Sequence, residues 1–163
     1  PPLSKGLLVL PYFSGERTPI HDPLAKGALF GLNLTHTRGD IYRAILEGIA
    51  MGTAHVVDCY REVGQTPGRI LAVGGGTRNR VWMQSTSDFS GLPQVVCRTT
   101  IGASYGDAFL AAMAIDRVSP ADIDTWNPPE RELRPEASPA HAAHYDRFRQ
   151  LYSRTKEIAH AIG

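Results

Sequence analysis

Three consecutive glycines, Gly74, Gly75 and Gly76, follow the apolar run Leu71-Ala72-Val73 and precede Thr77-Arg78-Asn79. Glycine has no Cβ and tolerates positive φ, so a ligand can lie against bare backbone at such a turn. A helix opening just after it would add unpaired N–H groups and the positive end of a dipole, which suits an anion such as phosphate. The same residues would also serve as a tight strand-to-helix turn with no ligand. Asn79 brings further chemistry, because a carboxamide carries both a donor and an acceptor and can read an adenine edge. Gly74, Gly75 and Gly76 would then form a flat floor beneath the purine, making these four the candidate nucleotide-binding residues.

Spacing separates this segment from two familiar phosphate-binding patterns. The dinucleotide fingerprint G-x-G-x-x-G fits Gly74 and Gly76, but its third glycine falls on Asn79. A P-loop needs a Gly-Lys-Ser/Thr step, which the chain lacks. Among the six histidines none lies in an H-E-x-x-H frame, and no Cys/His cluster has zinc-finger spacing. His141 and His144 share a helical face and could bind a metal, although a solvated helix start explains them as well. No metal ligand and no catalytic residue is assigned. Glu16 and Arg17 read as an ion pair bracing a polar loop, or else as residues facing a cleft.

The elements that must position the glycine turn follow from periodicity. Gly6-Leu7-Leu8-Val9-Leu10, ended by Pro11, reads as a buried strand, and Gly27–Leu32 as a second. Thr37 and Asp40 form a capping-box pair ahead of the series Ile41, Ile45, Ile49, Val56, Cys59, Val63, which predicts a long helix stopped by Gly64. Pro67-Gly68 turns the chain into a strand over Ile70–Val73. Thr77 is then expected to cap a helix carrying Val81, Trp82, Met83 and Phe89, and Gly91-Leu92-Pro93 to end it before a short strand at Val95–Cys97. Gly102–Gly106 leads into a helix over 108–114 dense in small residues, expected in the core. These glycines stand at a second helix N-terminus that could face the first, and Asp107 is read as a helix N-cap. Residues 1–118 are taken as the domain core and 119–139 as a Pro-rich arm anchored by Trp126 and Leu133. Residues 140–163 are a C-terminal helix, capped by Ser138-Pro139, whose stripe Tyr145, Phe148, Leu151, Tyr152, Ile158 and Ile162 packs on the same domain.

Composition excludes several classes. With 163 residues, 42% hydrophobic, the chain can bury roughly 70% of its unfolded surface, enough for one core. A net charge of +1 without basic runs argues against nucleic acid or an anionic membrane as main partner. No apolar run reaches the ~18 residues of a membrane span. Cys59 and Cys97 fall in apolar segments and read as buried free thiols of a reducing compartment, which points to the cytoplasm. The start at Pro1-Pro2 reads as a piece of something longer or a processed chain.

Five motifs in order resemble the C-terminal domain of FGGY-type carbohydrate kinases, most like xylulose kinase-type members. They are Pro11-Tyr12-Phe13-Ser14-Gly15-Glu16-Arg17-Thr18-Pro19, Ala25–Leu32, Tyr42-Arg43-Ala44-Ile45-Leu46-Glu47-Gly48, Gly74–Asn79 with Trp82-Met83-Gln84, and Gly102–Ala108. The resemblance implies an α/β, ribonuclease H-like domain of the actin, sugar-kinase and heat-shock ATPase type, with a mixed sheet and flanking helices. It also implies that Gly74, Gly75, Gly76 and Asn79 contact the adenosine of ATP, that the Gly102–Gly106 turn has a lining role, and that Mg²⁺ accompanies the nucleotide. In that family the catalytic base and most sugar contacts belong to a preceding domain, so this chain alone is expected not to turn over. The expected partners are ATP and a small sugar, a ketopentose such as xylulose, with a homo-oligomer left open. The competing expectation is a non-catalytic nucleotide-binding or docking module of actin-like fold.

Overall fold

The computed structural model describes residues 1–162. The run after Gly6 forms β1 (Leu8–Leu10), paired antiparallel with β2 (Ala28–Phe30) so that Leu8 faces Phe30. Leu7, Leu8, Val9 and Leu10 are all buried, which makes this short strand the axis of the core. Thr37 and Asp40 close the expected box at the start of α1 (Arg38–Glu62): the Asp40 amide donates to Thr37 Oγ1 at 3.3 Å and the Thr37 amide to Asp40 Oδ2 at 2.8 Å. The Lys5 ammonium, 2.9 Å from the same carboxylate, and the Thr37 donors hold the Asp40 carboxyl well below the usual carboxylate range.

Helix α1 crosses β1 almost backbone to backbone, since a Cβ at Gly48 would collide with the Val9 carbonyl oxygen. That closeness selects the buried face. The most buried apolar positions are Ala44, Leu46, Ala50, Met51, Ala54 and Val57 rather than the isoleucine series read from the sequence, and Val63 is exposed. Glu47 is buried among them and is satisfied by Arg43 Nε at 2.8 Å, Ser4 Oγ at 2.6 Å and the Leu3 amide at 2.8 Å. It thereby ties the left-handed residues Leu3 and Ser4 to α1.

A second sheet carries the glycine turn. Strand β3 (Ile70–Ala72) runs parallel to β4 (Gln94–Cys97), and α2 (Arg80–Ser90) connects them. Gly91 ends α2 in the left-handed conformation, with φ 69°. Helix α2 packs along α1 and returns the chain so that Gln94 meets α2 through Met83 O and Ser87 Oγ.

Next come α3 (Ala103–Ala114), α4 (Ile123–Trp126), β5 (Pro129–Leu133) and α5 (Pro139–Ala161). The Pro-rich segment does more than lie over the surface: β5 adds to β4 antiparallel and makes β4 the centre of a mixed sheet. Helix α3 departs from expectation. Only Phe109 is buried, against Trp126, and Leu110 is 61% exposed, because no described layer covers its other faces. In α5, Phe148 and Leu151 join Leu8, Leu10, Tyr12 and Met51 in the main cluster, whereas Ile158 and Ile162 stay exposed. The end of α5 is held by polar contacts instead, with Tyr152 Oη 2.7 Å and His160 Nε2 2.8 Å from Asp22 Oδ2. Among the described residues no helix is long and apolar enough to cross a membrane.

Candidate nucleotide site

The glycine turn is a short 3₁₀ segment, Gly75–Arg78, between β3 and α2. Gly74 enters it at φ 87° and donates its amide to Thr100 O at 2.7 Å. Thr100 lies two residues before Gly102, so the turn is joined to the segment opening α3, and the two glycine turns are neighbours. Thr77 is not the cap of α2. Its hydroxyl donates back to Gly74 O at 2.8 Å, because the 3₁₀ turn consumes the residues up to Arg78. Asn79 takes the cap position, and its Oδ1 accepts from the Val81 and Trp82 amides at 3.1 Å each. Two of the N–H groups that a phosphate would need at this helix end are thereby used.

Two of the three glycines have a structural reason to be glycine, and the reasons differ. Gly74 is required by its positive φ. Gly76 is required by Trp82, whose ring would lie 2.7 Å from a Cβ there. Gly75 has neither reason: its φ is ordinary and a Cβ would meet nothing within 4 Å. A small cavity of about 150 Å³ lies beneath the turn, lined by Gly76, Thr77, Trp82 and Met83. It is below the ~300 Å³ of an ordinary ligand pocket.

Sequence reasoning missed one neighbour. Tyr42, exposed on the first turns of α1, accepts a hydrogen bond from Asn79 Nδ2 at 3.0 Å. The two residues are 37 apart in sequence, and only the packing of α1 on α2 brings them together.

Other candidates are placed differently from their expectations. Glu16 does not pair with Arg17; its Oε1 accepts the Thr18 amide at 3.0 Å, and no Glu16–Arg17 ion pair forms among the described residues. Asp107 caps nothing, since Gly102 holds the cap position of α3 and Asp107 sits exposed inside the helix. His141 and His144 are not a solvated pair. His144 is buried and stacks on Phe89, its burial pushing its pKa down, while His141 Nδ1 meets the Ser138 amide at 3.1 Å. Cys59 and Cys97 are free thiols, half-buried rather than fully buried. Among the described residues no three His, Cys, Asp or Glu groups gather where a metal could bind.

A family description, the C-terminal domain of the FGGY family of carbohydrate kinases, matches residues 1–115. The chain therefore belongs to the FGGY carbohydrate kinases, and its mixed α/β architecture is the actin-like fold of sugar kinases. It is 38% identical over 149 residues to xylulose kinase of Escherichia coli K12, covering 88% of this chain and 30% of that protein. It is 37% identical over 111 residues to a glycerol kinase of Dechloromonas aromatica, covering 68% of this chain and 22% of that protein. Among solved structures, xylulose kinase from Rhodospirillum rubrum superposes with a TM-score of 0.82 at 33% identity, covering 98% of this chain and 33% of that one. The chain thus spans about a third or less of the length of these relatives.

Proposed function

We propose that this domain holds the adenosine part of ATP in a two-domain kinase that transfers the γ-phosphate to a hydroxyl of a small sugar, a ketopentose such as xylulose. The single observation that carries the reading is Gly75, a glycine that neither φ nor packing requires and that faces open space. Close approach of a ligand to backbone is a remaining physical reason for it. The names of the relatives, xylulose kinase above all, support the sugar class. The free thiols agree with a cytoplasmic setting.

In this reading Gly74, Gly75, Gly76 and Asn79 contact the nucleoside. Mg²⁺ arrives on the phosphates, where it neutralises charge during transfer. Deprotonation of the sugar hydroxyl falls to the rest of the kinase. The apolar residues left exposed on β3, just after it and on α3, among them Leu71, Val73 and Leu110, suit a face that the rest of the kinase covers when the cleft closes and water is excluded.

The test is amide NMR of this chain during titration with a non-hydrolysable ATP analogue and Mg²⁺. Shifts clustered at Gly74–Asn79 and Gly102–Gly106 are expected, even at millimolar affinity. Saturating nucleotide with no shift there would remove the preformed half-site, and leave a docking module as the better account.

A further inference from the structure

The turn presents a carboxamide whose two ends have unequal freedom. Two backbone N–H groups, of Val81 and Trp82, converge on one end of the Asn79 side chain at 3.1 Å, and only an oxygen can receive them. The nitrogen therefore points outward, where one of its hydrogens goes to Tyr42 Oη at 3.0 Å. Turning the amide over would break both cap bonds and set the nitrogen against two donors. Asn79 thus keeps one free hydrogen and loses its acceptor.

We infer that Tyr42 is a further positioning residue of this half-site, holding Asn79 as a hydrogen-bond donor alone, so that the ligand edge it reads is an acceptor, a purine ring nitrogen, and not the 6-amino group of adenine. This rests on the nucleotide reading above and narrows it, because the amide was expected to offer donor and acceptor together. Tyr42 acts through the amide: its ring stands on α1, the amide on the cap of α2, and their bond sets the angle at which the free hydrogen leaves the turn. The phenolic hydrogen, not needed to bind Asn79, is a second donor on the same edge. A half-site built this way does not distinguish adenine from a purine that lacks the exocyclic amine.

The experiment is a binding series on the 163-residue chain, read by amide NMR at Gly74–Asn79 and by the Asn79 side-chain amide itself. The probes are ATP, purine riboside triphosphate, which lacks the 6-amino group, and deaza analogues of ATP that each lack one ring nitrogen. Purine riboside triphosphate is expected to bind within about twofold of ATP, and one deaza analogue about tenfold more weakly, the value of one hydrogen bond. In Tyr42→Phe, which keeps the ring, ATP should bind about three- to tenfold more weakly and the deaza difference should shrink. In Asn79→Asp, which keeps the cap, that difference should vanish. A large loss on removing the 6-amino group, a series indifferent to every ring nitrogen, or an unchanged series in Tyr42→Phe each overturns the inference while the half-site stands. Absence of any response at Gly74–Asn79 to all probes overturns the nucleotide reading itself, and this inference with it.

Discussion

Adding a methyl group to each glycine of the turn separates structure from ligand contact. Gly76→Ala should cost about 1–3 kcal/mol, because the new Cβ meets the Trp82 ring at 2.7 Å. Chemical denaturation of the purified chain measures that loss. Gly75→Ala should leave the denaturation midpoint almost unmoved and weaken nucleotide binding, since only an external group meets the new Cβ. Equal midpoints with equal nucleotide affinity would remove Gly75 from the site. Asn79 needs a more careful substitution than alanine, which would also delete the α2 cap at a cost of about 1 kcal/mol. Asn79→Asp preserves the cap and removes the amide donor, so in the full-length kinase it should raise the KM for ATP with little change for sugar. Steady-state kinetics at fixed sugar decides this, and an unchanged KM for ATP would place Asn79 outside the site.

The decisive contact between elements is the crossing of α1 over β1. Gly48 permits it, and Gly48→Ala would force the helix away from the Val9 carbonyl. The expected cost is about 3 kcal/mol, the upper part of the range for overpacking, because the atom it meets is backbone and cannot rotate aside. Urea denaturation would show it, and a loss below about 0.5 kcal/mol, within the range of ordinary surface changes, would mean that α1 shifts without strain. The caps follow sequence rules only in part. Thr37 and Ser138 stand where their residue types predict. Thr77 does not, since a 3₁₀ turn lies between the glycines and α2 and Asn79, an equally good capping residue, follows it.

Over the whole molecule, acid tests the long-range polar contacts. The Tyr152 hydroxyl foremost, with His160 and the Leu24 amide, holds Asp22 at about 2, below its unfolded value near 3.9. The stability from Asp22 is complete above about pH 4 and lost as the pH falls toward about 2. Asp40 acts with the same sign. Burial lowers the pKa of His144 and of His55 below the usual imidazole value near 6.5, so the unfolded chain takes up those protons first. Their contribution is present above about pH 6.5 and declines below it. Thermal melting from pH 8 to 2 should therefore fall in two stages. Asp22→Asn should flatten the lower stage, and His144→Phe the upper. A single stage unaffected by either substitution would show that other groups govern acid unfolding.

Features that depend on neighbours a few residues apart are legible from residue types alone. The strand-to-helix order, the Thr37–Asp40 box, the Gly91 stop and the triple glycine are local chemistry, and the ordered motifs carried the family. The tertiary structure decided what depends on close approach between distant segments. The Gly48–Val9 crossing buries Ala44, Ala50 and Met51 fully and leaves Ile41 and Ile45 half-buried beside Leu7 and Val9, and β5 turns a proline-rich arm into part of the sheet. Helix α3 stays uncovered although its composition suits a core, because composition states what a helix could bury and not whether a layer lies opposite. The same limit holds at the site. Residue type allows Asn79 to donate and accept, but the cap of α2 and the hydroxyl of Tyr42, fixed only by the packing of two helices, leave it a single free donor.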